Sequence, residues 1–147
     1  MKTLGIIFTF IGLSVALFAQ QPNIEELKKK GAFLRFEPSE VNLGTVATTK
    51  VTNELGEISI TVHNEGVQPL ILNQVTACCG TRVVEWPKEP IAPGQKGTIK
   101  VSFRVSPHPH RISRTVTVVS NAVNGNTQRV AILGEIVNPS LPHEIKL

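Results

Sequence analysis

Two segments of this chain alternate strictly between apolar and polar residues. In Glu57–His63, Ile58, Ile60 and Val62 share one face, and Ser59, Thr61 and His63 share the other. In Thr98–Val105, Ile99, Val101 and Phe103 alternate with Lys100, Ser102 and Arg104. A period of two is the pleat of a β-strand with one buried and one solvated face. A sheet of such strands must cover its apolar face with another layer.

The rest of the chain supplies strands rather than helices for that layer. Phe33–Phe36 and Val41–Leu43 flank Pro38-Ser39-Glu40, and Leu70–Val75 follows Pro69. Ser113–Ser120 is rich in Thr and Val, the residues that fit a pleated surface best. Arg129–Leu133 and Glu135–Val137 complete the set. Asn64-Glu65-Gly66, Pro107-His108-Pro109-His110 and Asn124-Gly125-Asn126 supply turn chemistry between them. The pattern predicts an all-β chain, a single immunoglobulin-like β-sandwich of about seven strands. Its expected core is Ile58, Ile60, Val62, Leu70, Leu72, Ile99, Val101, Phe103, Val116, Val118, Val130 and Ile132. The two cysteines are adjacent, so they cannot bridge the sheets as in antibody domains, and the absence of tyrosine removes the tyrosine corner.

Residues 1–19 read as a secretory signal peptide. Lys2 gives a positive start, Leu4–Phe18 an apolar run, and Ala16 and Ala19 a small-residue cleavage site. The run is short for a membrane span, which needs about 20 apolar residues. Residues 20–32 are expected as a short helical or disordered lead-in, with Asn23 and Glu26 spaced as a capping box and Gly31 at the end. Residues 33–137 form the sandwich and 138–147 a C-terminal tail. The protein is therefore expected in the periplasm or secreted, with no transmembrane segment after cleavage. The formal charge of +4 is too small to indicate nucleic acid. The chain holds no aspartate, which excludes an aspartyl dyad, an EF-hand loop and a Ser-His-Asp triad.

The segment Ala77–Gly94 gathers both cysteines, the single tryptophan, and Pro87, Pro90 and Pro93. It reads first as a rigid crossing between the sheets. It reads second as a binding edge or loop built from Arg82, Trp86, Pro90, Pro93 and Gly94. For Cys78 and Cys79 the simplest role is a packed small side chain. Redox or interchain thiol chemistry is the next reading. A copper or zinc site completed by His108 and His110 is a further one, because thiolates and imidazoles suit those metals, although the spacing is not that of a zinc motif. Arg104, Arg111 and Arg114 lie near those histidines in sequence and suit an anionic glycan, lipid headgroup or acidic partner.

Several short motifs occur together: Asn64-Glu65-Gly66, Pro69-Leu70, Cys78-Cys79-Gly80-Thr81, Trp86-Pro87, Pro90-Ile91-Ala92-Pro93-Gly94, Ser120-Asn121-Ala122 and Gly134-Glu135. In this combination the chain resembles the bacterial exported family known as domain of unknown function 1573, over nearly all of residues 33–137. The resemblance implies an immunoglobulin-like fold similar to major-sperm-protein and pilus-chaperone modules, and no known catalytic activity. The family's usual Cys-Gly-Cys-Thr loop is here Cys78-Cys79-Gly80-Thr81, and Pro107–Arg111 replaces its glycine-containing turn. The expected function is an exported, non-enzymatic interaction or structural module. It would bind another exported or cell-envelope protein through a sheet edge or loops, with no cofactor. The alternative is a thiol or metal-binding protein that uses Cys78-Cys79 with a nearby histidine.

Overall fold

A computed structural model describes residues 23–140. The signal-peptide reading of residues 1–19 and most of the tail lie outside the described residues. Eight strands form two four-stranded sheets. They are β1 (Leu34–Glu37), β2 (Glu40–Ala47), β3 (Glu57–Asn64), β4 (Leu72–Ala77), β5 (Thr81–Glu85), β6 (Lys96–Phe103), β7 (His110–Ser120) and β8 (Thr127–Val137). Sheet A has the order β1-β3-β6-β5 and sheet B the order β2-β8-β7-β4. All pairings are antiparallel except β2 with β8, which is parallel.

The alternating segments form the centre of sheet A. Ile58 pairs with Val101 and Ile60 with Ile99 across β3 and β6, so the apolar parities of the two strands coincide. Sheet B answers with Ile112, Val116 and Val118 from β7 and Val130, Ile132 and Ile136 from β8. Every residue of the expected core is buried. Each fully buried Val, Leu or Ile side chain contributes about 1.5–3 kcal/mol relative to exposure. The fold is the expected immunoglobulin-like sandwich, with one strand more than about seven. The addition is β5, in a segment expected only as a crossing. A strand also forms where two were expected, since β8 runs unbroken through Gly134.

The chain changes sheets on both flanks of the sandwich. On one flank β1 belongs to sheet A and β2 to sheet B, joined at Pro38-Ser39. On the other, β4 belongs to sheet B and β5 to sheet A, joined at Cys78-Cys79-Gly80. The Pro107–His110 segment was expected as a hairpin tip. It is a crossing from β6 in sheet A to β7 in sheet B, as the β2–β3 and β3–β4 connections also are.

Helix α1 (Ile24–Lys30) precedes the sandwich. The Asn23 side chain accepts from the Glu25 amide at 3.1 Å, and Glu25 and Glu26 occupy the positive end of the helix. After α1 the chain passes close beneath the β3–β4 loop. A Cβ on Gly66 would lie 2.0 Å from the Gly31 carbonyl oxygen, so only glycine permits that approach. Asn64, 1% exposed, ties this junction together. Its Oδ1 accepts from the Phe33 and Gly66 amides at 3.3 and 3.0 Å. Its Nδ2 donates to the Gln68 and Ile91 carbonyls at 2.7 and 2.8 Å.

Candidate functional site

Sheet edges and the turns beside them carry the groups that the core does not use. The two outer edges of sheet A differ. At β1, the Asn124 side chain caps the outward backbone groups of Leu34. Its Oδ1 accepts from the Leu34 amide at 3.0 Å and its Nδ2 donates to the Leu34 carbonyl at 2.8 Å. Asn124 is expected in a hairpin-type turn, and β7 and β8 do form an antiparallel hairpin there. Its connection is a loop over 121–126 that reaches across to β1. A second asparagine of the loop, Asn121, extends the β4–β7 pairing: its Oδ1 accepts from the Ile71 amide at 2.8 Å and its own amide donates to Ile71 O.

At the opposite edge of sheet A, β5 pairs only with β6. The row of N–H and C=O groups facing away from β6 has no strand beside it. Such a row is a template for an added strand. The register slips between Val83 and Glu85, so Val84 is a bulge residue, and its side chain is 58% exposed. Bulges re-aim a side chain out of the regular pleat. Val84 borders a shallow depression of about 350 Å³ on the outer face of sheet A, lined also by Glu57, Ser59, Lys100 and Ser102. Lys100 Nζ pairs with Glu85 at 2.8 Å on the same rim.

The five residues of the expected binding loop fall into two groups. Arg82 and Trp86 belong to the open edge. Arg82 is exposed on β5, and Trp86 is half-buried just beyond it with the Lys88 ammonium 3.2 Å from its ring centroid. Pro93 and Gly94 are structural. The Gln95 amide donates to Ala92 O at 3.0 Å, and Gly94 has φ +75°, as the third position of a type II turn requires. The Gly94 amide donates to Asn64 O, so this turn is fastened to the buried junction. Pro90 is exposed between the groups, next to Ile91, whose amide and carbonyl both bond Leu70 at 2.8 Å.

The cysteines form the β4–β5 turn itself. The Thr81 amide donates to Cys78 O at 3.1 Å, with Cys79 at φ +54° and Gly80 at φ +71°. Two positive φ values in succession are the geometry of a type I′ turn. Glycine adopts it freely, whereas a cysteine there is unusual. Both cysteines are free; Cys78 is half-buried and Cys79 exposed. Cys78 Sγ accepts from the Thr115 amide at 3.2 Å. A hydrogen bond from Cys79 foremost holds the Cys78 thiol below its ordinary range; the Thr115 amide and the Arg114 charge add to this, against the opposing effect of burial.

The structure does not gather the expected metal ligands. His110 begins β7, five residues before Thr115. At about 3.4 Å per residue that is roughly 17 Å along the strand from the cysteines. His108 is exposed in the crossing, and His110 Nδ1 lies 2.6 Å from the His108 carbonyl. Among the described residues, no three His, Cys, Asp or Glu side chains come together in a way that would hold a metal. The three arginines also disperse. Arg104 is exposed, Arg111 lies 3.9 Å from Glu135, and Arg114 turns inward. The parity of β7 accounts for Arg114: with Ile112, Val116 and Val118 buried, position 114 falls on the same face. That alternation was a readable signal for Arg114. Nothing comparable marked β5, whose Thr-Arg-Val-Val-Glu has no clean period.

The sequence matches DUF1573, described as a protein of unknown function, over residues 34–136. A search of curated proteins returns no match. Among solved structures, the chain is similar to a protein of unknown function from Porphyromonas gingivalis W83, with TM-score 0.58 and 16% identity, covering 74% of this chain and 48% of that one. It is similar to the secreted serine protease VesC from Vibrio cholerae, with TM-score 0.55 and 13% identity, covering 76% of this chain and 24% of that one. It is also similar to the ASH / PapD-like domain of human CEP192, with TM-score 0.50 and 9% identity, covering 80% of this chain and 92% of that one. The chain thus spans about half of the first of these and a quarter of the second. At these identities the likeness is one of fold. No described helix is long and apolar enough to cross a membrane.

Proposed function

The chain belongs to the DUF1573 family, and on that premise we propose that it is an exported, non-enzymatic interaction module that receives an extended segment of another envelope protein along β5. The observation that carries this reading is the asymmetry of sheet A. One edge is capped at Leu34 by the Asn124 side chain, and the other carries an unpaired row of backbone groups with Val84 exposed beside it. Backbone pairing supplies affinity in strand addition, and pockets for alternate side chains supply selectivity. The depression beside Val84 is such a pocket, and its rim of Glu57, Lys100 and Ser102 suits a polar side chain. Export rests on the Lys2, Leu4–Phe18 and Ala19 pattern. N-terminal sequencing of the protein recovered from cells tests that part: a chain beginning at Gln20 supports it, and one beginning at Met1 refutes it.

Site-specific photocrosslinking tests the edge. A photoreactive residue at Val84 is expected to capture an envelope protein in the native host. The same residue at Arg35, on the capped edge, is expected to capture none. Equal capture at both positions, or capture at Arg35 alone, would refute the assignment of β5.

A further inference from the structure

Arg114 raises a question that the edge does not answer. It sits on the inward face of β7, between Ile112 and Val116, and forms no ion pair among the described residues. Its Nη1 donates to Cys79 O, its guanidinium carbon lies 5.7 Å from the Phe103 ring centroid, and its Nε is buried without a hydrogen-bond partner. Arg114 as a whole is half-buried, and the Nε is the part withdrawn from water. No carboxylate among the described residues pairs with it. The groups able to carry a negative charge in the turn it binds are the thiols of Cys78 and Cys79, and Cys78 Sγ is the one that already accepts a hydrogen bond.

Three features of the turn bear on that sulfur. The Thr115 amide donates to Cys78 Sγ at 3.2 Å. The guanidinium is fastened to the same turn through Cys79 O. Cys79 holds a backbone conformation that glycine or asparagine would adopt more readily. Thr81 Oγ1, at the end of the turn, is also buried without a partner. A fixed cation favours an anionic sulfur and opposes a metal cation at the same point.

We propose that the β4–β5 turn is a thiol–disulfide exchange site, in which Cys78 is the attacking thiolate, Arg114 its counter-charge and Cys79 the neighbouring thiol, with an accessible disulfide as substrate. The Cys78 thiolate attacks one sulfur of the disulfide. A bond forms from Cys78 Sγ to that sulfur as the original S–S bond breaks, and the other sulfur leaves as a thiolate that takes a proton from water. The number of disulfides is conserved, so no further oxidant or reductant is required. Attack by Cys79 on the mixed disulfide would release the bound thiol and leave Cys78 and Cys79 joined. Arg114 is a positioning residue, since it acts through the sulfur.

Reaction of the folded protein with 2,2′-dithiodipyridine, followed by thiopyridone release, tests the assignment. A fast phase is expected in the wild type and in Cys79→Ser, and is expected to be lost in Cys78→Ser. Arg114→Gln should move the midpoint of the pH–rate profile upward. At a pH below the midpoint the reaction should slow, because the thiolate fraction falls as the midpoint rises. Arg114→Lys should restore part of the rate. Circular dichroism confirms that each variant is folded, and intact mass with an alkylating agent gives a second measure of thiol reactivity for any variant that melts early. A fast phase that survives in Cys78→Ser, or an Arg114→Gln profile that does not move, would overturn the proposal. Two arms identify the source of the disulfide. Oxidised glutathione reacting in vitro supports a small-molecule disulfide. A protein adduct of Cys79→Ser, trapped in cells and cleaved by dithiothreitol, supports a protein disulfide. Absence of both overturns the assignment. Photocrosslinking at Val84 does not depend on either cysteine, so the two proposals fail separately.

Discussion

Replacing Asn64 by leucine removes the junction's hydrogen bonds while keeping the side-chain volume close to that of asparagine. Four backbone groups lose a partner: the amides of Phe33 and Gly66 and the carbonyls of Gln68 and Ile91. They are not equal. Ile91 O also accepts from the Leu70 amide, so it keeps one bond. Gln68 is an exposed residue, so the loss at its carbonyl counts as partial. The amides of Phe33 and Gly66 belong to buried residues and are left with nothing. A buried group left unpaired costs about 1–3 kcal/mol. The two full losses alone come to about 2–6 kcal/mol. Small domains have roughly 5–15 kcal/mol in all. At about 4 °C per kcal/mol for a domain of this size, the melting temperature should fall by about 8–24 °C. Thermal unfolding followed by the fluorescence of Trp86, the only tryptophan, measures this directly. A fall of under about 4 °C would mean that the junction is held by packing and that the hydrogen bonds of Asn64 contribute little net free energy.

Two further outcomes follow from the same geometry. Asn124→Ala removes both bonds to Leu34 and uncaps β1; a loss of about 1–2 kcal/mol is expected, together with concentration-dependent self-association by light scattering. Glu65 is held below its ordinary carboxyl range by the hydrogen bond from Arg35 first and from Lys28 second. Its folded value is therefore depressed, so its contribution is present above the unfolded value and is lost as pH falls through the folded one. Glu65→Gln should be less stable than wild type at neutral pH, by under about 1 kcal/mol because the partners are partly exposed, and the difference should vanish in acid on urea titration.

The sequence was most legible where burial enforces a period. Ile58, Ile60 and Val62 face Ile99 and Val101 as their alternation requires, because a slip of one residue would turn every apolar side chain to water. It was least legible where polar side chains replace backbone partners. Asn64 and Asn124 each look like ordinary turn residues, since asparagine suits a turn whether or not its amide reaches elsewhere. Their partners lie 27 to 90 residues away for the longer contacts, beyond any local pattern. The candidate site divides in the same manner. The cysteine turn was visible as a cluster of unusual residues. Arg114 became part of it only when β7 laid its inward face against the turn, and His108 and His110 left it because β7 carries them away along its length.

The cap that Asn124 places on Leu34 at β1 also bears on how many partners sheet A can hold. A sheet with two open ends is divalent: each strand added at one end leaves another end free, and growth continues. A sheet with one stoppered end is monovalent. Whatever docks on β5 uses its single vacancy, whether a foreign segment or a second copy of this chain. Along that sheet the protein ends an array and does not extend it.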